Sequence, residues 1–184
     1  MRLEQACAFT GHRPYRLMLG KEGDNLAQSR LIEALMREIH ALNFKGVRRF
    51  YTGMAQGVDL WCAEIVLELS KTAPFIELVA ALPFSGQERR WSAEARERYR
   101  RLLNGCSRVV DCSLDHYKSI EGSLSAAYLN RNRYMVDNAQ FLLAVYDPNG
   151  AHLRSGTGQT VRYAQNKRRS IICIHPDTLA VSNL

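Results

Sequence analysis

The 184-residue sequence predicts one α/β domain: an α/β/α sandwich over residues 1–184 around a mostly parallel sheet. Three observations predict it. Short apolar runs rich in β-branched and aromatic residues alternate with longer stretches of helical periodicity, giving the rhythm βαβαβαβαβαβ. Helices placed between strands are the connections that parallel strands need, and they cover both faces of the sheet. No internal repeat, low-complexity linker or shift of composition marks a boundary within the chain.

The first strand is Gln5–Thr10, ending at Gly11-His12-Arg13-Pro14. Pro14 lacks an N–H and disfavours helix at Arg13, so this is a rigid loop carrying two basic side chains. Asp24–Leu42 follows as a helix, with Leu31, Leu35, Ile39 and Leu42 on one stripe that Ile32 and Met36 widen. Asp24 is its candidate N-cap, Gly46 marks its exit, and His40 lies among polar neighbours as a solvent-facing histidine.

Val47–Tyr51 is the second strand, and the helical pattern Leu60–Leu69 comes after the turn Thr52–Asp59. A third strand, Ile76–Leu82, ends in Pro83-Phe84 and leads to a helix over Ser85–Leu103. Arg108–Cys112 is a short fourth strand, followed by the polar segment Ser113–Ser123, a candidate lid. A polar helix spans Ser125–Asn138. The most apolar strand, Ala139–Tyr146, ends at the turn Asp147-Pro148-Asn149-Gly150. Ser155-Gly156-Thr157-Gly158 then opens a helix to Arg169, and Ser170–His175 is the last strand. The order of the strands within the sheet is not written in this pattern.

Bulk composition narrows the class. Apolar residues make up 46% and charged residues 23%, the profile of a water-soluble globular fold. No apolar run approaches the roughly 20 residues that span a bilayer, and no signal-peptide core is visible, so no membrane partner and a cytoplasmic location are expected. The five cysteines are scattered without a Cys-x-x-Cys pair. Cys7 and Cys173 on strands and Cys62 on a helix read as small buried thiols, and neither a disulfide framework nor a metal site is expected. A net charge of +7 suits polyanions, yet many of the arginines alternate with glutamates on the Ser85–Leu103 helix, where a solvated face explains them equally well.

The chemistry gathers at strand ends. In Thr52-Gly53-Met54-Ala55-Gln56-Gly57-Val58-Asp59, small residues at a strand-to-helix junction let the backbone come close to a bulky partner. The free amides and dipole of the following helix then favour an anion, a phosphate-bearing ligand above all. The same residues would serve a bare βα turn with a capped helix, and Asp59 fits a cap better than catalysis. Ser155-Gly156-Thr157-Gly158 is a second small-residue turn at a helix start, and Gly11-His12-Arg13 places cationic and polar donors at a third strand end. In open α/β sheets ligands collect at the carboxyl ends of the strands. Phe84 and Trp91 could either stack a base or close the core beneath a loop.

The segment 52–59 resembles the Ser/Thr-Gly-x-Ala-x-Gly-x-Asp signature of the Smf/DprA–LOG (SLOG) superfamily. The chain is most similar to the YpsA-like branch of small bacterial Rossmann-like proteins, through Thr10-Gly11-His12-Arg13-Pro14, Pro83-Phe84 with Gln87 and Trp91, Arg131-Asn132 with Met135-Val136-Asp137, Val145-Tyr146-Asp147 and Gly156-Thr157. The resemblance implies a Rossmann-like fold and a nucleotide or nucleotide-derived ligand, such as ADP-ribose or an NAD-like molecule. It places Gly11, Arg13, Gly53, Gly57, Gly156 and Thr157 around phosphates, with His12, Ser155, Thr52 and Asp59 beside them and Asn132 or Arg131 nearby.

One departure bears on chemistry. LOG-type phosphoribohydrolases resemble this chain at Arg131, the candidate catalytic residue, but carry a glutamate shortly after the glycine turn. Gln159 and Thr160 stand here instead, and Ser155 replaces the first glycine. Glutamine cannot accept a proton or offer a charge to an oxocarbenium ion. Asp137 and Asp147 are the nearest alternatives in sequence. The leading reading is therefore a sensor or regulatory protein that binds a nucleotide-derived small molecule, as a monomer or homodimer. An N-glycosidic hydrolase and a DprA-like binder of single-stranded DNA are the alternatives.

Overall fold

The structure, a computed structural model, describes residues 5–13, 25–113, 124–149 and 155–184. Met1–Glu4, Pro14–Asp24 with the expected Asp24 cap, the lid segment beyond Ser113, and Gly150–Arg154 lie outside the described residues.

The elements are β1 (Ala6–Gly11), α1 (Asn25–Phe44), β2 (Arg49–Thr52), α2 (Val58–Thr72), β3 (Glu77–Leu82), α3 (Ala93–Gly105), β4 (Arg108–Asp111), α4 (Leu124–Asp137), β5 (Phe141–Val145), α5 (Gly156–Asn166), β6 (Ser170–Ile174) and β7 (Val181–Asn183). They form a single α/β unit of the Rossmann-like kind. The sheet order is β4-β3-β2-β1-β5-β6-β7, with every pairing parallel except β6 with β7.

Strand pleating sorts the core. Along β1, Cys7 and Phe9 face a layer made by α1, α2 and α3, whereas Ala6 and Ala8 face α4 and α5. Phe9 stacks on Phe50 of β2 at 5.8 Å in the first layer. Strands buried on both faces explain why β1, β3 and β5 read as continuous apolar runs. The chain builds β1 to β4 outward on one side, then returns to add β5 and β6 on the other. β1 and β5 stay paired to their carboxyl ends, with Gly11 opposite Val145, but the connections leaving them run to opposite faces of the sheet, and a crevice opens there.

Three expectations need correction. Ser85–Trp91 is a set of turns, with α3 starting only after the Ser92 cap, whose Oγ accepts from Ala95 N at 3.2 Å. Gly86 at φ 84° supplies a left-handed turn that a helix cannot contain. Met36 is 43% exposed and stands outside the α1 core stripe. β7 was not expected: its three residues are all exposed and carry no apolar alternation to mark them. The mixed charges of α3 are partly absorbed within the fold, since Arg98 grips Glu64 of α2 through two hydrogen bonds of 2.8 and 2.7 Å.

Candidate functional site

A cleft of about 450 Å³ opens at the carboxyl end of β1. Its floor and one wall come from β1 and the loop after it, through Thr10, Gly11, His12 and Arg13. Ala55 and Asp59 enter from the start of α2, Ser125, Tyr128, Arg131 and Asn132 from α4, and Ser155, Gly156 and Thr157 from the start of α5. Nine of the residues singled out in the sequence therefore share one cavity: Gly11, His12, Arg13, Asp59, Arg131, Asn132, Ser155, Gly156 and Thr157.

Thr52, Gly53 and Gly57 work behind the wall. Thr52 is fully buried; its Oγ1 donates to Asp59 O at 3.0 Å and accepts from Met54 N at 3.1 Å. Asp59 accepts the amide of Ala55 at 3.3 Å and that of Gly53 as well. In this first glycine turn the amides of Gly53, Met54 and Ala55 are thus taken by the protein's own side chains, so these three offer no seat to an anion. The bulky partner that its small residues admit is internal. A Cβ on Gly53 would lie 1.2 Å from Arg131 Nη1 and 2.7 Å from Asp59 Oδ2. Gly57 sits at φ 93° as the cap residue of α2, a conformation that L side chains adopt at a cost. Gly11 is likewise structural, since a Cβ there would meet Val58 Cγ2 at 2.4 Å.

The second small-residue turn behaves differently. Ser155 caps α5, its Oγ accepting from Gly158 N at 3.1 Å. The amides of Gly156 and Thr157, next along the helix start, carry no hydrogen bond among the described residues. A Cβ on Gly156 would meet nothing within 4 Å, so this glycine borders open space. Thr157 Oγ1 lies 3.5 Å from His12 Nδ1, which joins the β1 loop to the α5 start.

Arg131 dominates the electrostatics. It is only 5% exposed, and its Nη1 meets Asp59 Oδ2 at 3.3 Å. Its Nε is buried with no hydrogen-bond partner among the described residues. Burial pushes the Asp59 carboxyl above its usual range, while Arg131, the Ala55 and Gly53 amides and Arg13 pull the other way. Desolvation wins because these contacts, 3.3 Å to both Arg131 Nη1 and Ala55 N, return only part of what the carboxylate loses on leaving water.

Asn132 is fixed by Thr160: Asn132 Nδ2 donates to Thr160 Oγ1 at 2.8 Å, and Thr160 Oγ1 donates to Gly156 O at 2.8 Å. The residue standing where a catalytic glutamate would be expected is therefore a buried strut, and Gln159 beside it is exposed. Asp137 and Asp147 do not line the cleft. Asp137 accepts from Tyr163 Oη and pairs with Lys167 Nζ at 3.0 Å, while Asp147 faces His175 Nε2 at 3.6 Å. The carboxylate that does reach the cavity is Asp59.

Phe84 and Trp91 are outside the lining. Trp91 packs edge-on against Tyr99 at 5.4 Å, and Phe84 packs edge-on against Tyr128 at 5.7 Å. Tyr128 lines the cavity together with Phe9 and His12, and Arg131 Cζ lies 5.7 Å from its centroid. The sequence places Tyr128 three residues before Arg131, on neighbouring turns of one helix with Arg131 and Asn132, without marking it as a binding residue. Among the described residues no grouping of His, Cys, Asp and Glu could hold a metal ion, and no helix is long and apolar enough to cross a membrane.

Comparison with known proteins agrees with this architecture. The chain is 35% identical over 139 residues to an uncharacterized SPbeta prophage-derived protein, YoqJ, of Bacillus subtilis, covering 70% of this chain and 77% of that one. It is 30% identical over 141 residues to a UPF0398 protein of Bacillus pumilus, covering 77% and 73%. Among solved structures, DNA processing protein A (DprA) of Streptococcus pneumoniae superposes with a TM-score of 0.51 at 14% identity, over 91% of this chain. The Helicobacter pylori protein, solved to describe its single-stranded DNA binding mode, gives 0.55 at 16% identity over 93%. This chain spans 49% and 65% of those two structures' lengths, and at such identities the likeness is one of fold. The sequence model of YpsA, described as the YspA SLOG family, matches residues 7–179, and the chain belongs to that family.

Proposed function

We propose that the cleft binds a nucleotide-derived ligand by its phosphate. The observation that carries this reading is Arg131, a buried guanidinium that lines an open cavity with its Nε unsatisfied. Leaving a buried donor unpaired costs roughly 1–3 kcal/mol, more for a charged group. A phosphate oxygen entering the cleft would remove that cost. Arg13, Gly156 and Thr157 line the same space, so a single anion there would have two guanidinium groups and a helix start within one cavity. Isothermal titration with AMP, ADP-ribose, NAD and cyclic nucleotides tests the reading. At least one should bind, and Arg131→Met should weaken it about ten- to hundredfold, the value of one or two charge-assisted hydrogen bonds. No heat from any of them at millimolar concentration removes the proposal.

The net charge of +7 and the fold shared with the Helicobacter pylori protein support a second reading, single-stranded nucleic acid laid across the same cleft. Anisotropy of a labelled oligothymidylate separates the two. Nucleic-acid binding requires affinity that falls steeply with salt. Retention of a mononucleotide at high salt with no oligonucleotide binding leaves the first reading alone.

Asp59 gives N-glycosidic cleavage an acid/base candidate, because it is a carboxylate in the cleft and burial favours its protonated form. Release of free base from AMP or NAD, lost in Asp59→Asn, would establish catalysis. Intact substrate after long incubation would leave a binding protein.

A further inference from the structure

A second cleft of about 400 Å³ adjoins the first and shares Ser125, Tyr128, Asn132 and Gly156 with it. Both volumes fall within the roughly 300–1,000 Å³ typical of small-molecule sites. Their chemistry differs sharply. The first chamber holds Arg13, Asp59 and Arg131, whereas the lining of the second has no Asp, Glu, Lys or Arg among the described residues. In their place are Ala126, Leu129, the Tyr128 ring and the Asn132 and Gln159 amides.

Tyr128 stands at the junction. Phe84 braces its ring edge-on at 5.7 Å, and Arg131 Cζ lies 5.7 Å from its centroid, so ring and guanidinium form one packed unit. Asn132 is held by Thr160 through its Nδ2, which leaves the amide oxygen to accept from a ligand. An aromatic platform, aliphatic walls and side-chain amides suit a planar, uncharged heteroaromatic ring with polar edges.

We propose that this second chamber receives the nucleobase of the ligand whose phosphate occupies the first, so that the protein selects a nucleoside phosphate over a bare sugar phosphate. The inference rests on the phosphate reading above and adds the ligand's other half to it. The shared rim of four residues sets the two halves side by side, with Gly156 leaving room for the sugar between them.

Titration of the whole protein with AMP and with ribose 5-phosphate tests it. AMP should bind about ten- to hundredfold more tightly, the gain expected from stacking one base. Leu129→Trp, which fills the second chamber, should bring the ratio of the two affinities close to one. Gln159→Trp, on the exposed side of α5, should do the same and serves if the first variant does not fold. Arg131→Met should weaken both ligands and keep the ratio. Equal affinities in the unaltered protein, or a ratio that neither tryptophan variant moves, overturns the base chamber. The phosphate reading survives that result if ribose 5-phosphate still binds through Arg131, whereas failure of both ligands to bind ends both.

Discussion

Arg131 Nη1 lies 3.3 Å from Asp59 Oδ2 across 72 positions of sequence, over the spot that a Cβ of Gly53 would fill. The pair joins α4, on one face of the sheet, to the start of α2 on the other. Both groups are almost fully buried, so removing either takes the ion-pair partner from the other. Arg131→Met should destabilise the protein by about 3–5 kcal/mol, and pairing it with Asp59→Asn should recover part of the loss. Urea denaturation of the two single variants and the double variant measures the coupling; strict additivity would contradict it.

Two glycines of the site should answer differently to alanine. Gly53→Ala drives a methyl into Arg131 and should lower both stability and anion affinity. Gly156→Ala meets empty space within the protein, so its melting temperature should hold or rise slightly while ligand affinity falls. Thermal melts with and without AMP separate the two effects. Equal loss of stability in both variants would show that Gly156 is packed as tightly as Gly53.

Acid should strengthen both the fold and the site at Asp59. Its folded-state pKa is raised by burial, so its contribution to stability is complete below the unfolded value of about 3.9 and is lost as pH rises through the folded value. Stability of the native protein relative to Asp59→Asn should therefore decline as the pH rises above about 4. A neutral Asp59 also frees Arg131 for a ligand, so a phosphodiester such as a cyclic nucleotide should bind more tightly on the acid side. A pH-independent difference between the two proteins in urea titrations would contradict the assignment.

Thr160 should matter at a distance from the chemistry. Thr160→Val removes the strut under Asn132 and the bond to Gly156 O, costing roughly 1–3 kcal/mol of stability for a buried polar partner lost. Ligand affinity should fall with it, through a misplaced Asn132. Ser155→Ala, which removes the α5 cap alone, should cost about 1 kcal/mol. Comparing the two by denaturation and titration distinguishes support of the site from support of the helix.

The sheet was legible because strands buried on both faces must be apolar throughout, as Ala6–Phe9 and Phe141–Val145 are. Turn chemistry at Gly11, Gly53 and Gly156 marked the correct end of that sheet. It did not reveal that Gly53 is small to admit the protein's own arginine, because that contact joins residues far apart in the sequence. Local periodicity put Tyr128 beside Arg131 but could not say which face of α4 meets the cleft, and so Phe84, the brace of Tyr128, was marked for stacking and Tyr128 was not. β7 escaped notice because an exposed edge strand has no buried side to imprint a pattern.

The antiparallel β7 strand leaves the two margins of the sheet unequal. At one side β7 covers β6 with a strand of three exposed residues, Val181–Asn183. At the other, among the described residues, β4 pairs only with β3, and it turns Arg108 and Val109 outward. The backbone groups along its free side include those nearest the 48%-exposed Val109, flanked by a cation that discourages another strand from docking. Replacing Arg108 with an uncharged β-branched residue would remove that deterrent and should show as concentration-dependent self-association in light scattering, far from the ligand cleft and independent of its occupancy.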